Sequence, residues 1–317
     1  MTDSIFASLA VVVVNFGSAV LLEENLQPLS RSAPGLAVVV VDNFTDRAEQ
    51  VRLSALAERE GWQHVLSPTN VGFGGGMNLG VARAQQSGRT HFLLLNPDAA
   101  IAADQVARLL EVVRLHPLTL ISPRILRPDG TVWFDGSDLY LDDGRVRATR
   151  RRADHPDART TPWLSGACLL VSDELWNRVG GFSDDYFLYW EDVELSHRVL
   201  QAGGAIAVCA DAQATHAQGG TQGAGQHSAG QAKSYSYYYY NVRNRLVYAA
   251  RNLDAPDRRR WRRRSVPAAW EVIVRGGRRQ LVTSVRPLIA AARGLRDGLA
   301  YRPVPGATPT PVSTRVT

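Results

Sequence analysis

Short unbroken apolar runs alternate along this chain with stretches whose apolar positions recur every three or four residues. Ala10-Val11-Val12-Val13-Val14-Asn15 is continuous and rich in β-branched residues, the pattern of a strand covered on both faces. Gly17 and Ser18 then turn the chain into a helix predicted over about 19–29. Leu36 to Val41 predicts a second buried strand ending at Asp42-Asn43. A helix at about 47–60 follows, with Asp46 and Glu49 spaced as in a capping box. His64-Val65-Leu66 reads as a third, shorter strand. The rhythm argues for a mostly parallel sheet with helices on both faces.

The stretch around which the rest is organised is His91-Phe92-Leu93-Leu94-Leu95-Asn96-Pro97-Asp98. Pro97 cannot donate to a sheet ladder, so the strand must stop and turn where Asp98 stands. A carboxylate at the carboxyl end of a central strand lies where open α/β sheets bind ligands. The alternative is that Asp98 caps the helix expected at about 102–115. Before this strand, Gly72-Phe73-Gly74-Gly75-Gly76 predicts a glycine-rich loop opening a helix at about 76–87. It is not the dinucleotide fingerprint, because Met77 or Leu79 stands where the third glycine belongs.

Leu118 to Ser122 is a further strand, and residues 123–160 read as hairpins and a mobile loop, with Asp142 and Asp143 as turn residues. Pro162-Trp163-Leu164-Ser165-Gly166-Ala167 leads into the strand Cys168–Val171. Trp190–Ala202 has helical spacing, placing Glu191 and Asp192 in a first turn where the helix dipole favours negative charge. Stabilising that turn is the plainer account of the pair. Ala205–Cys209 is a last strand, followed by His216; residues 217–232 are expected to be mobile, and 235–251 helical.

The composition adds limits. Two cysteines exclude a disulfide framework, no apolar stretch is long enough to predict a transmembrane helix, and without a basic n-region no signal peptide is expected. A reducing cytoplasm is the expected compartment. Lys233 is the single lysine and follows Ala232, which excludes the phosphate-binding P-loop. The net charge of +6 is uneven: residues 257–302 hold thirteen arginines against Asp257, Glu271 and Asp297, a local +10 that leaves the remainder near −4. Arginines interleaved with Trp261, Trp270 and aliphatic residues predict basic amphipathic helices able to bind an anionic membrane surface, or else a solvated face or oligomer contact. No nucleic-acid recognition motif accompanies the charge, so none is expected as partner.

Several stretches together resemble the family 2 glycosyltransferases of GT-A fold, especially bacterial rhamnosyltransferase-like members. They are Val12-Val13-Val14-Asn15-Phe16, Val40-Val41-Asp42-Asn43, Asn70-Val71-Gly72-Phe73-Gly74 with Asn78, and Leu94-Leu95-Asn96-Pro97-Asp98. Trp163-Leu164-Ser165-Gly166-Ala167 and Trp190-Glu191-Asp192-Val193-Glu194 with Arg198 complete the set. The resemblance spans about residues 8–250. It implies a GT-A domain over 1–250, with a nucleotide-binding half to about 122 and an acceptor half from 123. Residues 251–302 would then be a basic helical region and 303–317 a disordered tail.

By resemblance, Asp192 is the general base of an inverting transfer, with Glu191 beside it. Asp98 stands on the metal and diphosphate side, with His216 completing a Mg²⁺ or Mn²⁺ site. Asp42 binds the nucleoside. Asn15, Asn70, Gly72, Phe73, Asn78 and Asn96 join it around the nucleotide-sugar. Trp163, Ser165, Gly166 and Trp190 line the acceptor or sugar pocket. The implied donor is dTDP-L-rhamnose and the implied acceptor a glycan or polyprenyl-diphosphate-linked glycan, at the inner face of the cytoplasmic membrane. Many relatives carry Asp-x-Asp where this chain has Asn96-Pro97-Asp98, which predicts weaker metal affinity. A nucleotide-sugar-binding protein without catalysis is the competing reading.

Overall fold

In the computed structural model, which describes residues 4–217 and 233–303, nine strands form one twisted sheet. They are β1 (Leu9–Asn15), β2 (Ala37–Asp42), β3 (Gln63–Leu66), β4 (His91–Leu95), β5 (Ala99–Ile101), β6 (Thr119–Leu126), β7 (Val132–Phe134), β11 (Cys168–Ser172) and β12 (Ala205–His216). The order is β3-β2-β1-β4-β11-β6-β12-β5, with β7 on β6. Pairings β2–β3, β1–β2, β1–β4 and β6–β12 are parallel; β11 runs antiparallel to both β4 and β6, and β5 and β7 are antiparallel edges. Every residue of β1 and β2 is buried, as unbroken valine runs demand when both faces are covered. This is the α/β GT-A-like fold expected from the sequence.

The first helical stretch is two helices, Ala19–Asn25 and Gln27–Ser32, separated at Leu26 with Pro28 in the first turn of the second. The helix Arg47–Glu60 is capped by Asp46, whose side chain accepts from the Glu49 N–H. Only half of the expected capping box forms. The Glu49 carboxylate crosses to the Ala19 N–H at 2.7 Å and the Asn15 amide at 3.2 Å, fastening the end of β1 to the helix after β2.

The glycine-rich stretch is not a loop. Helix Gly72–Gln86 begins at Gly72, and its glycines bring helix and sheet into close contact. A Cβ on Gly76 would lie 2.9 Å from Val14, and one on Gly80 would run into Val12 and lie 3.0 Å from Val41 Cγ2. One on Gly74 would meet Phe182 Cβ at 2.8 Å. Sequence reading missed this because a glycine required for packing looks like one required for a turn.

Residues 123–160 build β7 and a second sheet. Its strands are β8 (Ser137–Tyr140), β9 (Val146–Ala148) and β10 (Thr160–Trp163), in the order β10-β8-β9. Asp142 and Asp143 do sit in the turn, and both are ion-paired, Asp142 with Arg159 and Arg260, Asp143 with Arg147. Beyond the long helix Tyr235–Asn252, four helices span Ala255–Arg263, Ser265–Val274, Gln280–Thr283 and Arg286–Ala300. They pack on the Tyr235–Asn252 helix around Tyr238, Val242, Ala269, Ile273 and Ala290. Trp261, expected on a membrane-facing surface, is instead wholly buried with Leu139, Val193 and Tyr248. The expected mobile stretch 217–232 and disordered tail 303–317 fall almost wholly outside the described residues.

Close packing makes a prediction. Gly80→Ala is expected to destabilise the chain by about 1–3 kcal/mol, the usual cost of overfilling a packed core. Most of that cost should vanish in a Val12→Ala background, measured by urea unfolding. An equal cost in both backgrounds would show that the helix–sheet contact is not the cause.

Candidate active site

Strand polarity puts the expected acids at one edge. β2, β1 and β4 run parallel in register, Asn15 opposite Asp42 and Val13 opposite Leu95, so Asp42 and Asn96–Asp98 emerge from the same carboxyl end. β11 runs the other way, and its first residue, Cys168, lies opposite Leu95. The segment 163–167 that precedes it therefore begins at that edge too. The Asn96 N–H donates to the Ala167 carbonyl at 3.0 Å. One residue earlier, the Gly166 N–H donates to Asp192 Oδ2 at 3.1 Å. The two bonds link the Asp98 turn, the head of β11 and Asp192 in one chain of contacts.

Asp192 also accepts from the Val193 N–H at 2.8 Å. Burial pushes its carboxyl up to about 6, against the lowering effect of those N–H donors. Glu191 is buried, and its Oε2 has no hydrogen-bond partner. Burial first, and the neighbouring Asp192 second, raise its carboxyl well above the ordinary range, which favours its neutral form more than that of Asp192. Two carboxyls set apart in this way suit different roles. The helix they open, Glu191–Gln201, is entered through two non-glycine residues in left-handed backbone, Tyr189 at φ 65° and Trp190 at φ 74°. Such strain persists only where surroundings impose it. Here Asn244, from the Tyr235–Asn252 helix, donates to the carbonyls of Leu188 and Tyr189 at 2.9 and 2.8 Å.

Asp98 is buried, with Oδ1 3.0 Å from His216 Nε2. His216 is thus more than a loop histidine: it ends β12 opposite Ala99, packs on Trp133, and leaves a buried Nδ1 without a partner. One carboxylate and one imidazole side by side, with hard oxygen and nitrogen donors, fit a Mg²⁺ or Mn²⁺ completed by substrate oxygens. Among the described residues no group of three His, Cys, Asp or Glu side chains surrounds such an ion.

Asp42 is buried, accepts from the Phe44 N–H at 3.1 Å, and keeps Oδ2 without a hydrogen bond. Burial raises its carboxyl above the usual aspartate value, with the Phe44 N–H, the Gln50 side chain and nearby His64 opposing.

Other expected contacts are placed differently. Asn15 is buried, accepting from Ser18 N and Oγ at 3.1 and 2.8 Å and donating to Glu49, so its side chain shapes the β1 exit. Asn78 has both amide atoms on Phe182, accepting from its N–H and donating to its carbonyl at 2.9 Å, and holds the Gly180–Phe182 turn. Asn70 Oδ1 accepts from Asn43 and the Gly72 N–H, which orients the start of the glycine helix. Gly72 has φ +79°, and a Cβ there would strike Phe187, whose carbonyl accepts from the Phe73 N–H. Phe73 packs on Phe182 and presses on Gly166, where a Cβ would lie 3.3 Å from the ring. Ser165 is buried at the head of β11.

Trp163, Trp190, Glu191 and Asp192 line one cavity of about 520 Å³, and Trp163 Nε1 is buried without a partner. Sequence reading did not anticipate the opposite wall, which comes from Asn241 and Arg245 of the Tyr235–Asn252 helix and from residues 264–275. The one available signal was the cluster of polar residues at 241–245 inside an otherwise apolar helical pattern.

Similarity to known proteins agrees with this arrangement. Residues 7–249 match the family described as glycosyltransferase like family 2. An N-acetylglucosaminyl-diphospho-decaprenol L-rhamnosyltransferase of Mycobacterium tuberculosis is 28% identical over 236 residues, covering 66% of this chain and 75% of that protein. A low-salt glycan biosynthesis hexosyltransferase, Agl10 of Haloferax volcanii, is 25% identical over 215 residues, 66% of this chain and 67% of that one. Among solved structures, the mannosyltransferase PcManGT of Pyrobaculum calidifontis with GDP-Man and Mn²⁺ superposes with a TM-score of 0.53 at 15% identity, over 92% of this chain and 86% of that one. GalNAc-T7 with UDP, GalNAc and Mn²⁺ gives 0.51 at 13% identity, over 82% of this chain but 55% of the other. These structures share the fold. The chain belongs to the glycosyltransferase family 2, and it is a GT-A glycosyltransferase.

Proposed function

We propose that the chain catalyses inverting sugar transfer from a nucleotide-sugar, with L-rhamnose from dTDP-L-rhamnose as the donor, to a glycan carried on a polyprenyl diphosphate. The observation that carries this reading is the Gly166 N–H bond to Asp192. It holds a carboxylate that ionises near neutral pH at the same sheet edge as Asp98 and Asp42. In the reaction, Asp192 takes the proton of the acceptor hydroxyl as that oxygen bonds to the sugar anomeric carbon. The bond from that carbon to the diphosphate breaks on the opposite face, and the nucleoside diphosphate leaves.

Glu191 orients the acceptor or the base. Asp42, through its unpartnered Oδ2, takes the nucleoside. Asp98 and His216 would hold a Mg²⁺ or Mn²⁺, which when bound supplies counter-charge for the departing diphosphate. The Asn96 side chain, Trp163 and Trp190 face the sugar and acceptor. Rhamnose is supported by the names of the mycobacterial relative and of the Escherichia coli rhamnosyltransferase WbbL, 22% identical over 209 residues. Attachment to the inner face of an anionic membrane is supported by the surface of the last helices. Trp270, Val282, Val285, Leu288 and Ile289 are exposed there among arginines, and among the described residues no helix is long and apolar enough to cross a membrane. A role limited to nucleotide-sugar binding has only the amide at Asn96 in its favour.

Asp192→Asn is expected to lower kcat by about 10²–10⁴-fold, the usual contribution of a positioned base, while donor affinity stays within error. Wild-type turnover in that variant would remove the proposed base. The wild-type rate should fall as pH drops through about 6, where Asp192 takes up a proton. An acid limb at the ordinary aspartate value, near about 4, would contradict the burial argument. In a thermal-shift panel with Mn²⁺, dTDP-L-rhamnose should raise Tm of the wild type but not of Asp98→Ala. A shift that persists in Asp98→Ala, or that appears only with another nucleotide-sugar, refutes the corresponding assignment.

A further inference from the structure

The charges on the cavity wall opposite Asp192 do not balance. Glu271 is held by Arg145 through two hydrogen bonds, one from Nε at 2.9 Å, and Asp143 is held by Arg147 at 2.6 Å. Glu191 is buried, and burial and the adjacent Asp192 push its carboxyl toward the neutral form. What remains facing the cavity is Arg245, Arg264 and Arg275 against the single carboxylate of Asp192. Among the described residues, no carboxylate lies within ion-pair distance of any of the three arginines.

Arg245 is the telling member. Its side chain is buried, stacked 4.4 Å over the Trp261 ring, and among the described residues it donates to the backbone carbonyls of Asp143 at 2.9 Å and Trp261 at 3.3 Å. Burial lowers it to about 10, with nearby Asp143 and Glu271 opposing and Arg264 adding to the fall, so it stays charged near neutrality. The nearest carboxylates, Asp143 and Glu271, are already hydrogen-bonded to Arg147 and Arg145, so they offset the three arginines only at a distance and a further anion in the cavity would be favoured. The same wall carries Pro267, Ala268 and Val272, and the helix bearing it leaves Val266 and Trp270 exposed at 65% and 46%. Cations beside an apolar helix match a phosphate ester with a hydrocarbon chain.

We infer that Arg245, Arg264 and Arg275 form an anion subsite that grips the phosphate or diphosphate of the acceptor, with the acceptor's sugar directed at Asp192. This rests on the acceptor-side reading of Asp192 and adds to it the group that the cavity recognises. Arg264 and Arg275 are the exposed arms that close on the phosphate oxygens; buried Arg245 supplies fixed charge behind them. The C-terminal helices are thereby part of the transfer site.

Binding can be followed on the full chain by tryptophan fluorescence, since Trp163 and Trp190 line the cavity. The probes are farnesyl diphosphate, inorganic pyrophosphate, farnesol and phosphatidylglycerol vesicles. Farnesyl diphosphate should bind the wild type, and farnesol should not. The Arg264→Gln/Arg275→Gln double variant, altered only at exposed positions, should bind farnesyl diphosphate roughly tenfold or more weakly, as expected for lost charge-assisted hydrogen bonds. Pyrophosphate should weaken in parallel. Unchanged farnesyl diphosphate affinity in the double variant overturns the subsite. So does loss confined to the vesicles, which would mean that the arginines read a bilayer surface. Affinity that follows Asp98→Ala instead of the arginines places the ligand on the donor side and also overturns it. The readout is binding, so it is independent of turnover. An inactive Asp192→Asn with arginine-independent binding sinks the subsite alone; an active Asp192→Asn with arginine-dependent binding sinks the base alone.

Discussion

Everything at this site depends on one antiparallel strand inserted into a parallel sheet. Had β11 run parallel to β4, its first residue would lie at the far edge, a full strand length from Asp98. Because it is reversed, Cys168 pairs with Leu95, and the residues just before it meet the turn just after β4. Two backbone donors then join what lies on either side, Asn96 to Ala167 and Gly166 to Asp192. Both donors are main-chain N–H groups at the end of a buried ladder, and the second reaches the Asp192 side chain. A Cβ on Gly166 would lie tightly against the Phe73 ring at 3.3 Å and in ordinary contact with Asp192 at 3.6 Å.

Around this junction, polar groups in the interior serve to place backbone. Glu194 is fully buried and pairs with Arg198, whose guanidinium also donates to the carbonyls of Val179 and Gly181. Asn78 grips the same turn from the opposite side. Asn244 and Arg243 reach over from the Tyr235–Asn252 helix to the carbonyls of Leu188, Tyr189 and Asp185. Buried ion pairs of this sort add little net stability, and their worth lies in specifying one arrangement. Here that arrangement forces Tyr189 and Trp190 into left-handed backbone and aims Glu191 and Asp192 inward.

The basic C-terminal region changes meaning on folding. Its apolar residues divide between two internal clusters and an exposed strip; among its arginines, Arg260 pairs with Asp142 of the globular body while Arg264 and Arg275 line the cavity. Arg159 joins Asp142 and Asp257, and Arg145 joins Glu271, so the helices are fastened to the second sheet as well as to the Tyr235–Asn252 helix.

The sequence alone determined the strands, most helices and the acids at their ends, because these follow from local rules. Valine runs need cover on both faces, Pro97 stops a ladder, and Asp42 and Asp98 stand where buried runs cease. The order and spacing of short motifs carried the family resemblance. Only tertiary structure decided what depends on distant partners. Gly74 and Gly76 read locally as a loop, yet they and Gly80 serve valines and a phenylalanine far along the chain. Asn15 and Asn78 looked like ligand contacts, since an amide carries no local mark of whether its partner is a substrate or a backbone carbonyl. The cavity wall opposite Asp192 comes from residues some fifty to eighty positions later, and charge runs do not reveal which arginines a fold will leave unpaired.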